Sequence, residues 1–345
     1  MDVSLLKDST LRQLIMLADI RREGSMLEAP CRWLILAVLC FAASVQAATG
    51  TTTTAQGVAV EEVLVTGEHP GPGLWKVSRG EHALWILGTH APLPNRLVWR
   101  SQEVELVISE AQQVLGNYSA SFSVAGANPF SSKGTQLRRL LPRKTYTQWS
   151  ALKEKYIGPN KEIETAWPVT AALVLRSNAL ARAGLTTADP VWQEIHKLAD
   201  AYHVPVTTRH QVHKIIEGSE LDDARARRIG VEFLTTTISN LEADLRTART
   251  RANAWATGDI DALKKHAEND RTAALLYASS WPFFQGEELQ ALMIETDRRW
   301  LEAAEAALQQ NRTTFAALPI FLLLRSDGLL DALRARGFEV EEPVY

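Results

Sequence analysis

Apolar and polar positions change their period along this chain, and the changes divide it into strands and helices. Two short apolar runs, Leu74–Val77 and Ala83–Leu87, are parted by Ser78-Arg79-Gly80-Glu81, which predicts a β-hairpin. Gly88-Thr89-His90 breaks the second run. After Pro92 and Pro94 come a helical segment around Trp99–Glu103 and a third apolar run, Val104–Ile108, predicted as a strand closing at Ser109-Glu110. Beyond Leu115 the period moves towards three and four. Tyr118–Gly134 is rich in Ser, Ala and Gly and is predicted as loop. Val169–Ala183 is an apolar helix ended by Gly184, and Asp189-Pro190 opens another whose buried face is Val191, Ile195 and Leu198. A long helix carries Ile229, Phe233, Leu234, Ile238, Leu241 and Leu245 at core spacing, and Leu289–Leu308 is a further amphipathic helix. Strand character returns at Val204–Thr207, at Phe315–Leu318 and at Phe338–Val340.

Strands at both ends of a helical middle predict a helix-rich α/β fold. A single domain is expected, with a central sheet built from N-terminal and C-terminal strands. The helices from about residue 135 to 310 are a large insertion covering one side. Length and composition agree: 345 residues, 46% hydrophobic and 22% charged, suffice for a sizeable core. A formal net charge of −3 gives no basic footprint, so nucleic acid is not an expected partner.

The amino-terminal region reads as a leader. Residues 1–25 have mixed charge and are set aside as an extension preceding the true start at Met26. Residues 26–47 read as a signal peptide: Arg32, the eleven-residue apolar run Trp33–Ala43, and small residues before a cleavage site after Ala47. Eleven residues are too few to cross a bilayer, which takes about 20, so no stable span is expected after cleavage. Residues 48–72 form a flexible leader (with strand character at Glu61–Thr66), and 73–345 the folded domain. Both cysteines, Cys31 and Cys40, fall inside the signal, which leaves the mature chain without disulfide, thiol nucleophile or thiolate metal site. The expected location is periplasmic or secreted.

Candidate chemistry concentrates near the hairpin. His90 in a turn after one strand and Glu110 at the end of a neighbouring one would form an active-site corner, with both as catalytic candidates. His210 and His213, three residues apart, would share one face of a helix, but no acid flanks them closely and a zinc site is not expected there. His69 is read as an exposed loop residue and His196 as a polar-face residue. Arg138, Arg139, Arg143 and Lys144 read as a solvated helix end. Ser219-Glu220-Leu221-Asp222 reads as a capping box, and no Gly-x-Ser-x-Gly elbow occurs.

The segments LWKV, LWILGT, PLP and VELVISE, with Trp255-Ala256-Thr257-Gly258-Asp259 and the closing RARGFEV, resemble the TraB/GumN family, whose relatives include Tiki-type metalloproteases. The resemblance spans Leu74 to Pro343. It implies a strand, Gly-Thr-x-His, a helix, and a strand ending in glutamate, with the histidine and the glutamate as metal ligands or catalytic groups. Gly88-Thr89 places the family histidine at Ala91, with His90 in the variable position, and Glu110 is matched to the strand-end glutamate. The second family Gly-x-x-His falls on Pro319 and Leu322. The glutamate of the family's Leu-Glu-Thr falls on His210, and the family's Arg-Asn falls on Thr296-Asp297. No cofactor and no metal are therefore expected. Three readings stand: a non-catalytic relative that binds a peptide or envelope component; a metal-dependent, peptidase-like hydrolase with a rearranged site around Glu110 and His90; and a structural or assembly protein.

Overall fold

The computed structural model describes residues 67–99, 101–125, 136–217, 223–267 and 287–343. The strands in chain order are β1 (Gly67–His69), β2 (Leu74–Arg79), β3 (His82–Thr89), β4 (Leu93–Pro94), β5 (Leu97–Trp99), β6 (Gln113–Leu115), β7 (Ala120–Ala125), β8 (Leu185–Thr186), β9 (Val206–Thr207), β10 (Val212–Glu217), β11 (Thr313–Pro319) and β12 (Glu339–Glu341). The helices are α1 (Gln102–Glu110), α2 (Leu137–Leu140), α3 (Arg143–Tyr156), α4 (Pro168–Arg182), α5 (Pro190–Ala201), α6 (Asp223–Thr257), α7 (Ile260–Ala267), α8 (Glu287–Gln310), α9 (Ile320–Leu324) and α10 (Leu329–Ala335). None of these is long and apolar enough to cross a membrane.

The expected α/β architecture is present. One six-stranded mixed sheet runs β12-β2-β3-β11-β6-β9, so amino-terminal and carboxyl-terminal strands alternate within it. The hairpin β2–β3 turns at Gly80-Glu81, with Arg79 opposite His82 and Gly80 at φ +61°, a conformation that costs glycine nothing. From β3 onwards the strands β3, β11, β6 and β9 are all parallel. Parallel strands are covered on both faces and read as continuous apolar runs; accordingly Thr314 to Leu318 of β11 are all buried.

Two cores form. The sheet core takes in Leu84, Ile86, Leu115, Phe315 and Leu318, with Trp255 and Trp300 brought in by α6 and α8. The helical insertion has its own, where Leu137, Trp149, Leu175, Leu234 and Leu241 join α2, α3, α4 and the middle of α6. The buried face of α5, Val191, Ile195 and Leu198, is the expected one, and the Asp189 side chain caps that helix by accepting from Trp192 N at 3.1 Å. The Trp255–Asp259 turn also behaves as expected. Gly258, at φ +73°, ends α6, and Asp259 Oδ1 accepts from Ala262 N at 2.9 Å to cap α7.

Several expected elements differ. Val104–Ile108 is not a strand but the middle of α1, because Val104, Val107 and Ile108, at helical spacing, are the buried residues. The strand of that region is β6, which begins five residues after Ile108. Part of the Tyr118–Gly134 loop is β7, whose six residues pair in parallel with β10 as a two-stranded ribbon. The strand character at Val204–Thr207 is met by β9, which lies at the edge of the sheet. His210 and His213 share no helix face: His210 lies in a turn and His213 in β10, where Val212, Ile215 and Ile216 favour extended backbone. His69 belongs to β1, is half-buried, and sits opposite Trp99 of β5. The signal peptide, the leader as far as residue 66, residues 126–134 and the capping box Ser219–Asp222 lie outside the described residues.

At Gly88 the backbone runs against α9, and a Cβ there would lie 2.7 Å from Ile320 Cγ1. The same residue's carbonyl accepts from Trp255 Nε1 at 2.7 Å. Gly88→Ala is expected to destabilise by about 1–3 kcal/mol through overpacking. In combination with Ile320→Ala the two losses should fail to add, with a coupling of about 0.5–3 kcal/mol. Denaturant melts of the four variants of this cycle are the check; simple additivity would mean that Gly88 is not held by this contact.

Candidate functional site at the carboxyl edge of the parallel strands

Because β3, β11, β6 and β9 run the same way, their four exits open on one edge of the sheet, and in open α/β sheets ligands bind outside such carboxyl ends. Thr89 and Pro319 face one another across the β3–β11 pair, and Leu115 and Thr207 across β6–β9. The exits are His90-Ala91-Pro92, with a cis bond before Pro92, then α9, the turn at Gly116–Ser119, and the turn at Thr208–Gln211. Gly116 N donates to Thr207 O at 2.8 Å, and a Cβ on Gly116 would stand 2.9 Å from that oxygen, so only glycine fits where the two chains converge.

The edge gathers the positions that the resemblance marked for histidine. Ala91 lies two residues past Thr89, and Leu322 lies three past Pro319, buried at 1% exposure in α9. The strand that follows α1 is β6, so the residue leaving its end is Gly116. A methyl, an isobutyl and a hydrogen offer no donor. A catalytic metal needs about three protein ligands, so these positions do not fit one. Among the described residues no group of three His, Cys, Asp or Glu side chains could hold a metal ion.

Glu110 is not part of this edge. It is the exposed last residue of α1, where its carbonyl accepts from Gln112 Nε2 at 2.8 Å. Gln112 Oε1 in turn accepts from Thr313 N, the first residue of β11, at 2.8 Å. The seven residues of β11, at about 3.3 Å each, separate that end from the His90 end by about 20 Å. Glu110 and His90 therefore form no common corner. His90 itself is half-buried at the β3 exit.

His210 does reach the edge, as a clasp. Its ring is 5% exposed, and Nε2 lies 3.1 Å from Gly116 O and 3.3 Å from Asn117 O. Both neighbours are acceptors, so Nε2 carries the proton and donates, tying the β6 exit to the β9 exit. Burial lowers the imidazole's pKa, and the two carbonyls oppose this only in part.

Three further residues complete the edge. The Tyr118 hydroxyl, 7% exposed as a residue, donates to Asp297 Oδ1 at 2.5 Å, and Asp297 Oδ2 accepts from an Arg325 guanidinium nitrogen at 3.4 Å. They come from the β6–β7 turn, from α8 and from the residue after α9. Sequence reasoning met Asp297 only as a departure from the family's Arg-Asn, and it passed over Tyr118 and Arg325. Their separation along the chain, 179 and 28 residues, leaves no local pattern to find.

The His210 clasp has a sign in pH. In the unfolded chain the imidazole titrates near its ordinary 6.5, while the folded ring protonates only at lower pH. Stability is complete above about 6.5 and is lost progressively as the pH falls towards the folded value. His210→Gln should lower the melting temperature at neutral pH yet flatten its decline between about pH 7 and pH 5. Melting curves across that range are the measurement; an unchanged slope would remove His210 as the titrating group.

No curated protein and no solved structure matches this chain. A sequence profile of the TraB/PrgY/gumN family matches residues 73–342, which covers the whole sheet, both cores and every exit of the carboxyl edge. The chain therefore belongs to the TraB/PrgY/gumN family.

Proposed function

We infer that this protein is an exported member of its family that binds a peptide or an envelope component at the carboxyl edge of the sheet and performs no metal-dependent hydrolysis. The observation that carries the reading is the chemistry of the exits. Where the family resemblance calls for two histidines, the chain has Ala91 and Leu322, which follow the facing ends of β3 and β11; Glu110, matched to the strand-end acid, ends α1, and the residue that leaves β6 is Gly116. The residues that remain, His210, Tyr118, Asp297 and Arg325, are hydrogen-bonding groups already engaged with one another or with backbone. Such an arrangement holds and orients a ligand; it supplies no open coordination position. The distance between Glu110 and His90 weighs against a rearranged hydrolytic site built on that pair. Export rests on the segment Met26–Ala47, with Ala48 as the first mature residue.

Purified protein loaded with excess zinc or manganese and then dialysed is expected to retain well under one metal per chain by elemental analysis, and to leave a mixed peptide pool uncleaved. One metal per chain together with chelator-sensitive cleavage would replace the binding reading with the hydrolase. Glu110→Gln should change stability by less than about 0.5 kcal/mol, as an exposed helix-end residue does, and should not alter retention of any peptide. A larger loss in thermal melts would place Glu110 in a network that the fold does not contain. Amino-terminal sequencing of exported material should begin at or near Ala48; a full-length cytoplasmic chain would refute export.

A further inference from the structure

We propose that Arg325 is the anchor of the carboxyl-edge site and that its ligand is the terminal carboxylate of a peptide. This rests on the binding reading above and names the group that is bound. Arg325 emerges six residues beyond the end of β11, directly after α9, at the edge where the four parallel strands exit. Its backbone is pinned by a tight turn. A Cβ on Gly328 would sit 2.8 Å from Arg325 O and 3.0 Å from Leu322 O, and Asp327 N donates to Asp331 Oδ2 at 3.0 Å. The guanidinium extends from the start of this turn, with its side chain 40% exposed.

Its contact with Asp297 is a single long one at 3.4 Å, from one nitrogen. Asp297 does not depend on it, because the Tyr118 phenol already satisfies the other carboxylate oxygen. A guanidinium has five N–H donors in a planar fork that matches a carboxylate's two oxygens. One donor is directed at Asp297, and among the described residues no side chain takes the others, which leaves them to an incoming anion. Asp297 sets the orientation of the fork through this contact and, as a like charge, opposes the ligand. By contrast Arg298 and Arg299, on the same helix as Asp297, are drawn onto Glu295 and Glu302 at 2.5–2.8 Å. Arg325 is a more loosely engaged cation, with one 3.4 Å contact, placed directly after α9 at this edge. A chain end laid along the exits of β3 and β11 would bring a terminal carboxylate to it, with the apolar Ala91 and α9 beneath the preceding side chain.

The test uses the full chain immobilised and challenged with N-acetylated tetrapeptides of mixed sequence, prepared once as free acids and once as carboxyl-terminal amides, with retained peptide quantified by mass spectrometry. The acids should be retained at least tenfold over the amides. Arg325→Ala should abolish that ratio while the circular dichroism spectrum and melting curve stay those of a folded protein. Asp297→Asn keeps an oxygen for Tyr118 and removes the opposing charge, so it should raise retention of the acids; a merely structural Arg325–Asp297 pair would not produce that rise. Equal retention of acids and amides, retention of neither, or a preference that survives Arg325→Ala would each overturn the proposal. Displacement of the acids by inorganic phosphate at equal concentration would make this a general anion site and overturn the peptide assignment. Any of these, with no metal bound and no cleavage, leaves the binding reading standing, whereas metal-dependent cleavage would remove that reading itself.

Discussion

The parallel pairing of β3 with β11 is the constraint on which the rest of the structure depends. It joins residues 82–89 to residues 313–319 and forces their exits onto one edge. More than two hundred residues lie between them, and apart from β6 and β9, which join the same sheet, they pack outside it before the chain returns in register. The return is secured at Gly88, whose missing Cβ lets Ile320 of α9 close against the backbone, and whose carbonyl takes the indole N–H of Trp255 from the end of α6. A buried acceptor left without a donor costs about 1–3 kcal/mol, so that single tryptophan couples the helical insertion to the sheet. The Trp255–Asp259 turn is thus more than a helix terminator. It delivers the indole to the strand end while Gly258 and Asp259 start α7 in a new direction.

The sheet could be read from sequence wherever local pattern and tertiary burial agreed. The hairpin, β11, the buried faces of α5 and α6, and the caps at Asp189 and Asp259 each have a signal confined to a few consecutive residues. The errors have a common physical origin. Val104–Ile108 holds four apolar residues around Glu105, and a run that short suits a buried strand or a helix equally; only its packing, with Leu106 outward at 62% exposure, decides for the helix. The true strand, β6, has three residues, too few for any period to show. Moving the strand by that distance carried Glu110 from a strand end to a helix end, and with it to the opposite edge of the sheet. β7 was missed because its Ser and Ala residues look like loop, and its strand state comes from pairing with β10 some ninety residues later.

The site shows the same division more sharply. That something is missing at Ala91 and Leu322 was visible in the sequence, since a motif with its histidines absent is a local fact. What stands there instead was not. Tyr118, Asp297 and Arg325 come from a turn, a helix and a helix terminus, and none carries a pattern of its own. His210 and His213 stand three apart in the sequence, yet the place of the His210 ring is decided by two carbonyl oxygens, which no sequence displays.

A family fold can hold different chemistries because the scaffold and the site are separable, and here the separation is physical. The parallel register and the Gly88 closure involve none of the hydrogen-bonding groups of His210, Asp297 or Arg325, although Tyr118 and Leu322 also belong to the sheet core. What the exits must preserve is a convergent geometry. An ion would supply that by gathering ligands around a point charge. With Ala91, Leu322 and Gly116 in place, convergence has to come from side chains held by their own supports: His210 by the Gly116 and Asn117 carbonyls, Asp297 by the Tyr118 phenol, Arg325 by the 325–328 turn. Each of these supports lies within the protein and needs no bound group to form. The edge is therefore organised by the fold itself, and preorganised groups lower the ordering cost of any contact made there.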